Sequence, residues 1–284
     1  MNFLIIGSGF GIYGYLPAIY KNSKKIFLNI KYKKKIEKRI ELIKFLKKVI
    51  WYIDIKEINN NIDYVVIAQN PKNQFLITKR ILNLLKPKHL FLEKPISNTP
   101  DTSLNFVQFL EKKKIKFSVG YLFKYLSWYQ YIKKKLSHNQ IFKISWKIKY
   151  NKKNNLWKTN HDDGGGLIRF YSIHFLRLFY DLNLTEIHKV SLNKKFCKFI
   201  LKDQKKNEFF LEVEYAQINQ FYIRHNKNYI LRSLNPFMKS IKKNNDPRVN
   251  IIKAYLKEVF ENFKIDYRYE KKFINFWKII ENVN

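Results

Sequence analysis

Four glycines lie within eight residues near the start of the chain: Gly7, Gly9, Gly11 and Gly14, in the stretch GSGFGIYGYLPAI. They follow an apolar run, NFLII, and precede a segment of helical composition. A strand that turns through bare glycines into a helix is a place where a diphosphate binds. The first amides of a helix lack internal partners, the helix dipole favours negative charge there, and glycine lets the backbone approach the phosphate oxygens. Two registers fit. Gly7-x-Gly9 stands at the right distance from the strand but puts Ile12 where a dinucleotide fingerprint has its third glycine. Gly9-x-Gly11-x-x-Gly14 is complete but lies two residues further on. The first register is expected to hold a pyrophosphate, with Phe10, Gly11 and Ile12 shaping the turn. A glycine-rich turn that binds nothing is the alternative.

The next position of chemical interest is the end of the second strand. NAD sites usually place Asp or Glu there, about twenty residues after the fingerprint, to bond the ribose 2′-hydroxyl. Here the segment reads LNIKYKKK, and the first acid is Glu37. Lys31, Lys33 and Lys34 crowd the position and suit a 2′-phosphate, so the pattern leans to NADP over NAD.

These residues need a scaffold, and the first half supplies one by alternation. Strands are expected at NFLIIG, KIFLNIKY, IWYID, IDYVVIAQN, HLFLEKP and KFSVGYLFKY. Helices are expected over Tyr13 to Tyr20, KKIEKRIELIKFLKK, NQFLITKRILNLL and DTSLNFVQFLEKKK, the last capped by Asp101 or Thr102. Strands alternating with helices imply a parallel sheet covered on both faces. From about Gln140 the pattern changes. IFKISWKIKY, KVSLNKKFCKFILK, NEFFLEVEYAQ and QFYIRHNKNYILRS alternate with period two, which suggests an antiparallel sheet. One helix, GLIRFYSIHFLRLFYDL, interrupts it after three glycines, and PRVNIIKAYLKEVFENFK closes the chain as a helix. NKKNN (151–155) and IKKNND (241–246) read as polar loops. The fold class is α/β: an N-terminal Rossmann domain, residues 1–118, and a C-terminal α/β domain, residues 119–284, with an open, mainly antiparallel sheet.

Bulk properties set limits. With 284 residues and 46% hydrophobic residues the chain can bury proper cores, and disorder is not expected. One cysteine, Cys197, excludes a disulfide within the chain and fits the cytoplasm. MNFLIIG has no basic flank, its apolar run is too short for a signal peptide, and no segment is apolar enough for a membrane span. The formal net charge is +34. It is carried mostly by lysine scattered along the chain, beside abundant Asn, Ile, Phe and Tyr. That is the residue set of A/T-rich codons, whereas base readers and phosphate clamps favour arginine. Nucleic-acid binding is therefore not expected as the main function. His89, His138, His188 and His225 show no metal-ligand spacing, and no metal is expected.

Several stretches line up in order: IIGSGFGIYGYLPAI, NNIDYVVIAQNPKNQFLITKRIL, HLFLEKPIS, FSVGYLFKY and DDGGGLIRFYSIHFLRL. Over about Met1 to Asp181 they resemble the Gfo/Idh/MocA oxidoreductases, named for glucose–fructose oxidoreductase and inositol dehydrogenase. The resemblance implies hydride transfer between NAD or NADP and a carbon bearing oxygen, on a sugar, sugar nucleotide or similar polyol. It also implies a homo-oligomer formed through the C-terminal sheet. Residue by residue, it makes Lys94 the catalytic lysine, flanked by Glu93 and Pro95 in the loop, and His174 the acid/base histidine. Ala68 to Pro71, including Asn70, would line the nicotinamide and ribose side, with Lys31 near the adenosine ribose. Lys124 and, as features of a subgroup linked to bacterial surface-polysaccharide genes, Arg169 and Tyr171 would face the substrate.

There are departures. Phe170 and Ser172 replace an Asp and a Gly common before the histidine, and Gln74 stands where a histidine is common. Phe170 motivates a rival reading, a member that keeps fold and cofactor without catalysis. The lysines motivate another, a basic module for nucleic acid or an anionic surface. Cys197 is expected to pack, and Asp162, Asp163 and His161 to form the turn before the glycines.

Overall fold

A computed structural model of the chain describes residues 1–58, 61–150, 156–237, 246–262 and 264–283. They form two compact units. The first takes Met1–Ser97, Asn105–Gly120 and Lys242–Tyr267; the second takes Asn98–Leu104, Tyr121–Ile241 and Arg268–Asn284.

The first unit is built on six strands: β1 (Asn2–Ile6), β2 (Lys25–Asn29), β3 (Val49–Tyr52), β4 (Tyr64–Ile67), β5 (His89–Leu92) and β6 (Phe117–Val119). All neighbours pair in parallel, in the order β3-β2-β1-β4-β5-β6. The strand sequences explain this. A parallel sheet is covered on both faces, so its strands are apolar throughout; Phe3, Leu4, Ile5, Val65, Val66, Ile67, Leu90, Phe91 and Leu92 are all fully buried. The order reverses direction between β1 and β4, and such a switch point opens a crevice at the carboxyl ends of the strands. Helix Pro71–Leu84 starts there, with Asn70 as its cap (Oδ1 accepts the Asn73 N–H at 3.1 Å) and Pro71 in its first turn. Helix Arg248–Asn262 also belongs to this unit; its Phe260 packs against Phe3 and Tyr64.

The second unit holds β7 (Ile141–Lys149), β8 (Glu186–Leu192), β9 (Phe196–Lys202), β10 (Glu208–Ala216), β11 (Gln220–His225) and β12 (Asn228–Ser233), in the order β12-β11-β7-β10-β9-β8. β7 and β10 run parallel and the other pairs antiparallel. One face packs on helix Ile173–Asp181, whose Phe175 and Phe179 meet Phe221 and Phe209. The other face carries cross-strand ion pairs, Lys198–Glu212 at 2.6 Å and Lys202–Glu208 at 2.8 Å, beside a cavity of about 450 Å³ lined by Phe196, Ile200, Phe210 and Tyr222 among others.

Several expectations need correction. Residues 34–48 are not one helix. They form short turns at Lys33–Glu37, Ile40–Ile43 and Leu46–Lys48; in one continuous helix Lys34/Lys38, Lys35/Arg39 and Lys44/Lys48 would stand i,i+4 and repel. Ile36 and Leu42 are buried while Ile40 is 86% exposed. The strand expected over 116–125 stops at Val119: Gly120 N–H bonds Leu92 O, where β5 ends, and the chain winds into a turn at Leu122–Tyr125. Thr99, not Asp101 or Thr102, caps helix Pro100–Lys112; the Thr99 and Thr102 hydroxyls each accept the other's backbone N–H at 3.1 Å. KVSLNKKFCKFILK and QFYIRHNKNYILRS each make two strands, β8–β9 and β11–β12. The closing helix is Tyr267–Asn282, with Phe273, Ile274, Trp277 and Ile280 buried along one face. The loops at 151–155 and 241–245 lie outside the described residues.

Candidate active site

The glycine turn follows β1. At Gly7 φ is 140°, and a Cβ there would lie 2.1 Å from the carbonyl oxygen of Ala68. The β1 turn and the β4 loop therefore touch backbone to backbone, and Ala68 N–H donates to Ile6 O at 2.8 Å. At Gly9 the space is open, with nothing within 4 Å of where a Cβ would stand. Its carbonyl accepts the N–H groups of Ile12 (2.9 Å) and Tyr13 (3.1 Å), opening a helical run to Asn22 whose first turn, Gly11–Tyr15, is π-helical. Gly11 makes the close approach of helix to strand. A Cβ on it would meet Ile5 Cγ2 at 2.9 Å. Ile12 is fully buried, so the third-glycine task falls to Gly11 in this register. Phe10 flanks the turn, with the guanidinium of Arg248 4.1 Å from its ring centre.

A dinucleotide fits this arrangement: bare backbone, open space over Gly9, a helix start, and two adjacent strand ends at the switch point. Gly9, Phe10 and Gly11 would hold the pyrophosphate. On the adenosine side Asn29 ends β2, donating to Ile53 O at 2.8 Å and accepting from Lys31 N–H at 3.1 Å. The Lys31 side chain is exposed, with Nζ 5.3 Å from the ring centre of Tyr32. Tyr32 is buried, with its hydroxyl beside the Gly7 backbone and the Gln69 side chain; burial pushes the phenol up. Sequence reasoning missed Tyr32 at this place. The only signal was a lone aromatic within the lysine run.

The loop after β5 carries Glu93 and Lys94, and its Lys94–Pro95 peptide is cis. Glu93 N–H donates to Gln74 Oε1 at 2.9 Å and to Ile67 O at 3.2 Å. Glu93 Oε1 is fully enclosed, with the Tyr15 hydroxyl and the backbone of Gly120 around it. Burial pushes this carboxyl up to about 7, against the opposing pull of Lys94 and Arg248. Arg248 is itself paired with Asp246 through two bonds of 2.9 and 2.6 Å. The first unit thus gathers Gly7, Gly9, Phe10, Gly11, Ile12, Ala68, Asn70, Pro71, Glu93 and Lys94 at the ends of β1, β4 and β5, with Lys31 at the end of β2.

The other candidates belong to the second unit. His174 lies in the first turn of helix Ile173–Asp181, after a π-helical segment, Leu167–Ser172, that leaves the glycine loop at Gly166 (φ 80°). Its ring stacks on Phe123 at 4.4 Å, and Lys124 is the next residue along. Arg169 turns into the protein: Nε and Nη2 bond Glu281 at 2.8 and 2.7 Å, and Nη1 bonds His161 O at 3.0 Å. Trp277 Nε1 donates to the same Glu281 at 2.8 Å. Tyr171 packs edge-on against Trp146 at 5.2 Å, and Phe170 against Trp157 at 5.3 Å. Within this unit His174 and Lys124 are neighbours through Phe123, whereas Arg169 and Tyr171 are held in separate packing. Among the described residues no three His, Cys, Asp or Glu side chains gather as a metal site, and no helix is long and apolar enough to cross a membrane.

Comparison with known proteins agrees with this fold. Residues 1–121 match the model of an oxidoreductase family with an NAD-binding Rossmann fold. Among curated proteins no sequence matches. Solved structures share the fold. The WlbA (WbpB) dehydrogenase of Thermus thermophilus, solved with NAD and UDP-GlcNAcA, has a TM-score of 0.72 at 11% identity, covering 100% of this chain and 95% of that one. A putative myo-inositol dehydrogenase of Sinorhizobium meliloti has 0.70 at 14%, covering 98% and 95%. An oxidoreductase of Agrobacterium radiobacter, solved with NAD+, L-tartaric acid and magnesium, has 0.71 at 12%, covering 100% and 97%. The match to the Gfo/Idh/MocA oxidoreductase family model thus covers residues 1–121, and the solved structures share the fold.

Proposed function

We propose that the protein is an NAD(P)-dependent oxidoreductase that moves hydride to or from a sugar, sugar nucleotide or related polyol. The observation that carries this reading is the open turn over Gly9 beside the Glu93–Lys94 loop, at the strand ends of a unit that matches an NAD-binding oxidoreductase family. A bound nicotinamide supplies or accepts the hydride. The chain must then move a proton at the substrate oxygen and stabilise charge there. Lys94 does both: its ammonium donates to the oxygen and offsets developing alkoxide charge. His174 serves as the acid/base partner, and Lys124 binds substrate hydroxyls. Glu93, with its raised carboxyl, holds the loop and sets the charge beside Lys94. Lys31, at the end of a strand with no acid, favours a 2′-phosphate, so NADP is the preferred cofactor in this reading. The open face of the second sheet joins copies into a homo-oligomer, and the protein works in the cytoplasm.

The test is titration with NADPH and NADH, read by energy transfer from tryptophan to the nicotinamide. Saturable binding with preference for NADPH is the expected result, followed by turnover in a screen of sugar nucleotides. Binding without turnover of any of them favours a member that has lost catalysis, to which Phe170 points. Failure to bind either nucleotide overturns the reading.

A further inference from the structure

Gln74 stands in the second turn of helix Pro71–Leu84 with no exposed surface. A buried carboxamide is costly unless its donors and acceptor are satisfied, and this one is satisfied by a single short segment. Its Nε2 donates to Glu93 O at 2.8 Å and to Ile96 O at 2.9 Å, with Pro95 O at 3.3 Å; its Oε1 accepts the Glu93 N–H at 2.9 Å. The helix is in turn fixed at its start by the Asn70 cap and braced by Thr78, whose hydroxyl donates to Gln74 O at 2.8 Å. The carboxamide therefore spans the loop from the residue before Lys94 to the second residue after it, and ties both ends to one rigid helix.

We infer that Gln74 is a positioning residue for Lys94: its carboxamide sets the course of the backbone through 93–96 and so the direction in which the lysine leaves the loop. The inference rests on the reading of Lys94 as catalytic for its consequence in turnover, but the geometric claim stands apart from it. The chemistry required is narrow. One acceptor must face the Glu93 N–H while donors face two carbonyls, a pattern that an amide carries. An aliphatic side chain of the same size has neither, and a carboxylate has only the acceptor.

The experiment compares the wild-type protein with Gln74→Leu, Gln74→Glu and Gln74→His, and separately with Lys94→Ala. Two readouts need no substrate. One is hydrogen exchange of the Glu93 amide. The other is the pH profile of Lys94 labelling by trace acetic anhydride, followed by mass spectrometry. Gln74→Leu and Gln74→Glu are expected to speed exchange at Glu93 at least tenfold and to displace the labelling profile of Lys94. Exchange in β1 and β4, and the dissociation constant for NADPH, should stay within about threefold. Gln74→His, with one donor and one acceptor, should restore part of the wild-type profile. If Gln74→Leu does not fold, Gln74→Glu carries the test. An unchanged Lys94 profile in folded variants overturns the inference. Where turnover is measurable, loss in Lys94→Ala but not in Gln74→Leu also overturns it. No loss in Lys94→Ala fails the catalytic reading alone and leaves the exchange result to decide the positioning.

Discussion

The two units present their candidate groups in different ways. In the first, the site is mainly backbone. The turn at Gly7 and Gly9, the β4 loop and the Lys94 loop sit at neighbouring strand ends, and the strand order decides what meets what. In the second, the candidates are side chains on a helix and its π-helical lead-in, and most are enclosed by aromatic rings. A backbone site tolerates wide sequence change as long as bare turns and strand ends persist. A side-chain site inside aromatic packing does not declare whether a residue is there for chemistry or for the core.

The sharpest way to separate the two is to remove one group from each. Lys94→Ala is expected to lower turnover by roughly 10² to 10⁴-fold, the usual range for a positioned proton-transfer group, with NADPH affinity nearly unchanged. His174→Gln should show a loss of similar order. If it leaves turnover intact, the second unit contributes that histidine to the core only, and the comparison becomes one site against none.

Next in size is the ion pair in the second unit. Arg169 and Glu281 are each about nine-tenths buried, so Arg169→Ala strands a buried carboxylate. It is expected to cost about 3–5 kcal/mol in urea unfolding. Replacing both partners together, Arg169→Met with Glu281→Leu, should recover most of that. A small effect of the single change would show that Arg169 is held for something other than the fold.

Within the glycine turn, two substitutions should diverge. Gly7→Ala puts a methyl onto Ala68 O in a left-handed region of backbone space and should cost about 1–3 kcal/mol. Gly9→Ala meets nothing, so stability should hold while nucleotide affinity falls about tenfold, read by the same titration. Equal effects on stability would show that the space over Gly9 is not a ligand's space.

A pH-dependent effect comes from His89, buried at the start of β5 and bonded to Ser118 Oγ at 2.9 Å. Burial pushes its imidazole down to about 3, from an unfolded value near 6.5. Between those values the unfolded chain binds the extra proton, so stability is full above pH 6.5 and falls on acidification, by about 1.4 kcal/mol per pH unit. Urea unfolding at pH 7, 6 and 5 should show this slope in the wild type and a flatter one in His89→Gln. Equal slopes would assign the acid sensitivity elsewhere.

Much of the first unit was legible in the sequence, because continuous apolar strands and glycine punctuation report a parallel sheet directly. The second sheet was legible from its period of two, though the hairpin turn at Asn193, whose Oδ1 accepts from Lys195 and Phe196 N–H, was hidden inside a polar run. The lysine-rich segment at 33–48 misled, since charge repulsion broke a helix that periodicity suggested. The closing helix Tyr267–Asn282 was missed although Phe273, Ile274, Trp277 and Ile280 repeat at helical spacing. At the site, Lys94 and the glycines were visible as motif. Gln74 was visible only as a departure from a common histidine, and Tyr32 and Arg248 were not visible at all, because their partners are backbone atoms and rings brought near by tertiary structure, and no local pattern encodes that.

The first unit is also discontinuous: its sheet comes from the beginning of the chain, while Tyr255 and Phe260 come from helix Arg248–Asn262. Tyr255 bonds Ser118 at 2.5 Å and packs against Phe91, and Phe260 covers Phe3 and Tyr64. During translation at 5–20 residues per second, the early strands therefore wait on the order of ten seconds for the helix that covers them. For that interval a nascent chain displays a bare aromatic sheet face, and the segment that closes it is read only after the strands of both sheets.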